Sequence, residues 1–197
     1  MEISEIKLKA IEMADKVFEI LDLIEDGFMK NKMEFLTVAM QEEGEINKAE
    51  KMVTENIAVL SRSGADKKTL SSLAQTAEML ERMGDEATGL IERIEVKVNE
   101  KLRFSEEAVR EFGETYRLMK DSVQMLREFL RTDAPALKKK IIDNGFRVKE
   151  LVENHRKAHA DRLVQGQCTP MSANMYFDML DFTGNLARHS SNIVKLG

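Results

Sequence analysis

Apolar residues recur along this chain at alternating spacings of three and four. The clearest run is Leu70, Leu73, Ala77, Leu80, Gly84, Ala87, Ile91, Ile94 and Val98, which is one face of a helix packed along its whole length. The same periodicity predicts six helices in all. The first spans about Ser4 to Met29, with Ile6, Ala10, Met13, Val17, Ile20, Ile24 and Phe28 as its inner stripe. The second spans about Lys32 to Arg62 and stops at Ser63-Gly64, where glycine supplies the left-handed residue that ends helices. Asp66 caps the third, which continues to about Leu102. The fourth opens at Ser105, followed by first-turn acids Glu106 and Glu107, and runs to about Arg131. Pro135 restarts the chain after a break, and the fifth helix runs to Val164 before Gly166. The sixth begins near Ser172 and fills the remainder.

The two halves match. A shift of about 102 residues lays Leu23-Ile24 and Phe28 on Met125-Leu126 and Leu130, and Ile46 on Val148. It also brings ERMGDEATGL (81–90) onto GNLARHSSNI (184–193). A duplicated three-helix unit is the economical reading. The expected fold is all-α: two tandem antiparallel three-helix bundles, residues 1–98 and 99–197, forming one compact unit.

Composition narrows the class. With 197 residues the chain is long enough to bury a real core. A content of 43% hydrophobic and 33% charged residues, two prolines and no tryptophan suits a helical protein. A net charge of −5 lacks the basic footprint that nucleic-acid binding requires. The lone Cys168 cannot form an internal disulfide, no apolar run is long enough to span a membrane, and no signal peptide opens the chain. A cytoplasmic location is expected, at the inner face of the membrane if the chain is part of a transporter.

The most specific chemistry lies on the rims of the second and third helices. Glu81 and Asp85 are neighbours one turn apart on the third, and Glu43 and Asn47 repeat that spacing on the second. The short loop between these helices makes them antiparallel neighbours, and counting outward from it puts both pairs at the same height. Three carboxylates and an amide clustered in this way suit a hard or borderline divalent cation, or iron. The competing reading is of ordinary acids on a solvated helix face.

EGEIN (43–47), ERMGDEA (81–87), VKELVENHRKAHADRL (148–163) and NLARHSSNI (185–193), on a tandem of three-helix units, make the chain resemble the PhoU-like domain family. The resemblance is nearest to the cytoplasmic C-terminal PhoU-like domain of bacterial sodium/phosphate cotransporters. It implies a non-enzymatic regulatory role in phosphate transport or homeostasis, with metal held by Glu43, Asn47, Glu81 and Asp85. It also implies a phosphate-transporter membrane component or a signalling protein as partner, and leaves a homodimer open. Asn47 departs from the family pattern, which usually has aspartate there.

The second half departs further. Gly145 and Lys149, with Gly184 and Arg188, stand where the acidic pairs should be, and two cations repel a divalent metal. The expected outcome is a small basic notch suited to an anion, because arginine's planar fork takes carboxylate or phosphate bidentately. The alternative is that Lys149 and Arg188 point into water.

His155 and His159 are spaced one helical turn apart, which is compatible with zinc. His189 lies about 15 Å further along the axis and cannot complete such a site, whereas Asp178 and Asp181 are at the right height. A solvated or hydrogen-bonded histidine pair is the simpler expectation. The thirteen methionines read as core filler, and Lys138-Lys139-Lys140 reads as an exposed basic turn. A di-metal carboxylate enzyme on a helical bundle normally uses two E-x-x-H motifs, and the chain contains none. A regulatory domain therefore ranks ahead of a plain helical scaffold that docks a partner, and an enzyme ranks last.

Overall fold

The structure is a computed structural model and describes residues 2–196. Among these residues six helices form: α1 (Ile3–Lys30), α2 (Met33–Arg62), α3 (Lys67–Asn99), α4 (Glu106–Thr132), α5 (Pro135–Val164) and α6 (Pro170–Ile193). Among the described residues there is no strand. α1, α2 and α3 pack on one another, and so do α4, α5 and α6. The two three-helix groups join where α1 meets α4 and α3 meets α6.

Local chemistry sets the ends. The Asp66 carboxylate accepts from the Thr69 amide at 2.9 Å, and Ser105 Oγ accepts from the Ala108 amide at 3.2 Å. Three ends differ from the sequence expectation, the plainest being that of α6, which stops at Ile193 instead of filling the remainder. α3 stops at Asn99 rather than Leu102, because Lys101 turns left-handed (φ 52°) and the Leu102 amide reaches back to the Lys97 carbonyl at 2.9 Å, closing the helix end in a Schellman turn. α6 starts at Pro170, two residues before Ser172. Its N-cap is Thr169, whose hydroxyl accepts from the Ser172 amide at 3.2 Å.

Burial separates inner from outer helices. α3 is buried on more than one face: besides Leu70, Ala77 and Ile91, a second row of Thr76, Met83, Leu90 and Lys97 is buried. α2 and α5 each bury only a narrow seam, Leu36, Ala39, Ile46 and Val53 on one and Ile141, Val148, His155 and His159 on the other. Three positions of the two seams correspond under the shift: Ala39 with Ile141, Ile46 with Val148, and Val53 with His155. α1, α3, α4 and α6 thus form a central slab, with α2 and α5 lying outside it.

The join is both polar and tightly packed. Asp15 of α1 takes Arg127 at 2.7 Å and Arg131 at 2.5 Å, both from α4. Lys120 reaches Asp22 at 2.8 Å and also Glu25. The buried Tyr116 hydroxyl donates to the Leu21 carbonyl at 2.7 Å. On the other side Arg93 pairs with Asp178 at 2.8 Å. Beside that pair the tip of the Phe182 ring points at Gly89, where an added Cβ would lie 2.5 Å from Cζ. By contrast, Gly44 faces open space on α2.

Two substitutions in helical glycines should therefore move stability in opposite directions. Gly89→Ala forces the Phe182 ring out of the join and should cost about 1–2 kcal/mol. Gly44→Ala meets nothing and should stabilise by about 0.5–1 kcal/mol through helix propensity. Urea unfolding midpoints of the two variants against the parent measure both.

Candidate functional site

α2 and α3 bring the predicted acidic pairs into register. A Cβ added at Gly84, between Glu81 and Asp85, would lie 3.6 Å from both Glu43 Cγ and Glu43 Oε1, and 3.6 Å from Ile46 Cδ1. Within the first pair, the Asn47 side-chain amide donates to Glu43 Oε1 at 2.8 Å. The Glu81 carboxyl is held above its ordinary range, first by burial and then by the charges of Asp85 and Glu50. Arg82 opposes the shift and Glu43 adds to it. Arg82 is itself engaged by Glu78 at 2.6 Å. The rim is thus a collection of acids short of positive charge.

A cation would supply that charge, and the donor set of three carboxylates and one amide oxygen has the chemistry for a hard or borderline metal. The shell is not closed as it stands. Among the described residues no group of three or more His, Cys, Asp or Glu side chains is close enough to hold a metal ion. Asn47 contributes an N–H to Glu43 rather than a carboxylate.

In the second half, the replaced positions line one groove between α5 and α6. Lys149, Arg188, Gly145 and Gly184 all face it, together with Lys195 and the apolar side chains of Ile142, Phe146 and Val152. Gly145 has a structural role of its own. A Cβ there would run into Ser191 Oγ, whose hydroxyl donates to the Ile141 carbonyl at 3.3 Å. That glycine lets α5 and α6 approach closely.

The histidines form no pair with a shared ligand. His155 Nδ1 lies 2.9 Å from the hydroxyl of the buried Thr115, and Nε2 lies 3.8 Å from Glu114. His159 stacks on Tyr176 with ring centroids 4.1 Å apart and meets the edge of Phe177 at 5.6 Å. Asp181 and Asp178 are taken by Arg156 (2.9 Å) and Arg93 (2.8 Å) instead. His189 lies apart, with Nε2 3.8 Å from Glu86.

Sequence reasoning missed the network around His159. Arg162 grips Glu111 with both terminal nitrogens, at 3.1 and 2.5 Å, and the Tyr176 hydroxyl donates to the same carboxylate at 3.4 Å. Burial pushes the Glu111 carboxyl up, but the Arg162 contact outweighs it and holds the group below its usual range. Burial and the Glu111 charge raise the Tyr176 phenol. Burial, reinforced by Arg162 against Glu111, lowers His159 to about 4. Under the repeat shift, the first half has Lys9, Val53, Ile57, Leu60 and Leu73 where the second has Glu111, His155, His159, Arg162 and Tyr176.

The six-helix tandem with acidic pairs on the rims of α2 and α3 has the fold of the PhoU proteins it superposes on. Residues 10–94 match the family model of the PhoU domain, which covers the half carrying the acidic pairs. Over its full length the chain superposes on PhoU from Pseudomonas aeruginosa with a TM-score of 0.91 at 14% identity, covering 98% of this chain and 93% of that one. It superposes on the phosphate transport system regulatory protein PhoU from Streptococcus pneumoniae with a TM-score of 0.87 at 15% identity, covering 99% and 92%. No curated protein matches the sequence. No helix of the described residues is long and apolar enough to cross a membrane.

The His159 site makes acid lability testable. Its folded pKa of about 4 lies below the ordinary 6.5. The neutral ring therefore contributes stability that is full above about pH 6.5 and is lost progressively as pH falls towards 4. At one pKa unit per about 1.4 kcal/mol, the loss is on the order of 2 kcal/mol by pH 5. His159→Phe, which keeps a ring against Tyr176, should remove that part of the pH dependence. Urea midpoints at pH 7.5 and 5 for both proteins give the comparison.

Proposed function

We propose that the chain is a non-enzymatic regulatory domain in phosphate transport or phosphate homeostasis. In this reading it acts in the cytoplasm at the inner face of the membrane, binding a phosphate-transporter membrane component or a signalling protein. The observation that carries the reading is the agreement of the whole six-helix architecture with two PhoU proteins, one of them the regulator of a phosphate transport system. The chemistry of the chain fits. The polar side chains buried together, Glu111, Arg162 and Tyr176, bond one another and present no free nucleophile. The outer faces of α2 and α5, left half-exposed, provide a helical surface for a partner. A strain lacking the chain should take up labelled orthophosphate at a rate that no longer responds to external phosphate, and reintroducing the chain should restore the response. Unchanged regulation in the deleted strain would count against the proposal.

On the same reading, Glu43, Asn47, Glu81 and Asp85 hold a divalent cation or iron, with water completing the shell. When bound, the metal supplies fixed positive charge that draws the two rims together. Support comes from the crowding of Glu81 by Asp85, Glu50 and Glu43, which a cation would relieve. Titration calorimetry with zinc, manganese, nickel and ferrous iron at neutral pH should show uptake that chelation reverses. A combined Glu81→Ala and Asp85→Ala substitution should abolish it. Because Glu81 titrates above the ordinary glutamate range, affinity should begin to fall at a higher pH than ordinary carboxylate ligands would give. Absence of heat and of bound metal with all four ions would sink the metal site.

A further inference from the structure

The groove between α5 and α6 has features that a lapsed metal site does not require. Its volume is about 580 Å³, within the range of small-ligand sites. One wall is apolar, built from Ile142, Phe146 and Val152. Phe146 is 65% exposed, and among the described residues no other aromatic side chain is so exposed. The cations lining the same groove are Lys149, also from α5, Arg188 of α6, and Lys195 just beyond the end of α6.

These cations are poorly matched by the protein's own acids. Arg188 donates only to the Asn185 side-chain oxygen at 3.3 Å, and among the described residues neither it nor Lys195 forms an ion pair. Lys149 stands 3.8 Å from Glu153 with both side chains at least two-thirds exposed, so water screens the pair. The one acid lining the groove, Asp181, is committed to Arg156 at 2.9 Å. Glu86, on the far side of Asn185, receives that residue's amide at 3.1 Å and faces His189. The groove therefore presents net positive charge beside exposed apolar surface.

The first half has no such arrangement. Glutamates occupy the positions of Gly145 and Gly184 there, and the flanking residues are Asn47 and Asp85. At 184 the absent side chain matters for space, because a Cβ would already touch Val152 Cγ2 at 3.4 Å and any longer side chain would enter the groove.

We propose that this groove binds a small amphipathic anion: a carboxylate or phosphate monoester carried on an apolar body. Arg188 grips two headgroup oxygens through its planar fork, and Lys149 and Lys195 add point charges. The body lies along Phe146, Ile142 and Val152, removing that surface from water. Neither half of the ligand suffices. A bare inorganic ion leaves the apolar wall wet, and a neutral amphiphile leaves the cations unanswered. The inference stands on the groove alone and does not depend on the regulatory reading or on metal at the first half.

Titration calorimetry of the full chain with octyl phosphate and octanoate, each below its micelle concentration, tests it. Inorganic phosphate and neutral octyl glucoside are the controls. At least one of the two anionic amphiphiles should bind in a 1:1 ratio at least tenfold more tightly than either control. Which of them binds better identifies the headgroup. Lys149→Glu combined with Arg188→Glu should weaken that binding at least tenfold, and Phe146→Ser should weaken it several-fold while leaving inorganic phosphate unchanged. Gly184→Leu, which introduces a helix-favouring residue while filling the groove, should block binding with helical content retained by circular dichroism. Equal affinity for octyl glucoside, undiminished binding by the charge-reversed protein, or no binding of either anion at millimolar concentration would each overturn the proposal.

Discussion

The structure depends on the join at which α1 and α3 meet α4 and α6. A three-helix bundle can bury one face of each helix, but α3 carries buried residues on more than one face, so the first unit is complete only when the second covers it. The energetic weight lies in apolar contact across this slab. The ions at its edge, Asp15 with Arg127 and Arg131 and Lys120 with Asp22 and Glu25, add direction more than energy, since they are partly exposed. They place acids on α1 opposite cations on α4, which fixes which face of one unit meets which face of the other.

α2 and α5 are tethered to this slab by one narrow seam each, and that leaves their rims free to carry chemistry. The two halves have used that freedom differently. In the first half, the rims of α2 and α3 gather carboxylates until Glu81 titrates upwards. In the second, the same register holds two glycines and two cations, and the α5 seam exchanges apolar residues for polar ones. Val53 becomes His155 under the repeat, and Met13 becomes Thr115. Both new residues are buried and bonded to each other, so the exchange leaves no orphaned partner in that pair. With methionine at 115, His155 would lack its Nδ1 partner, whereas Thr115 also donates to the Glu111 carbonyl at 3.0 Å.

Much of this was legible in the sequence because helical periodicity is a local signal. The six segments, the Asp66 and Ser105 caps and the stop at Gly64 follow from residues within a turn of each other. The start of α6 was less so: Thr169 and Ser172 are both good caps, and the proline at 170 settles the choice by sitting comfortably in the first turn. The register of Glu43 against Gly84 followed from loop length and counting. The Glu111 network did not, because its members are 51 and 65 residues apart and nothing near any one of them announces the others. The only available signal was charge and phenol chemistry at positions the periodicity turns inward. The apolar wall of the groove was equally hidden. Phe146 lies off the inner stripe of α5, and only the packing of α6 beside it makes its exposed ring one side of a cavity.

The superpositions at 14 and 15% identity follow from the same division of labour. The fold requires apolar residues at three- and four-residue spacing and small residues at a few close approaches, such as Gly89 under Phe182 and Gly145 under Ser191. Those requirements constrain residue class and size far more than identity. Apart from Gly145, rim positions of α2, α3, α5 and α6 carry little of that constraint. An aspartate exchanged for arginine at an exposed edge, as at Arg188, disturbs no core contact and alters stability little. The two three-helix groups then present two rims on one scaffold. Charge reversal on one of them leaves the other intact, so an acidic site and a basic groove coexist without either weakening the slab between them.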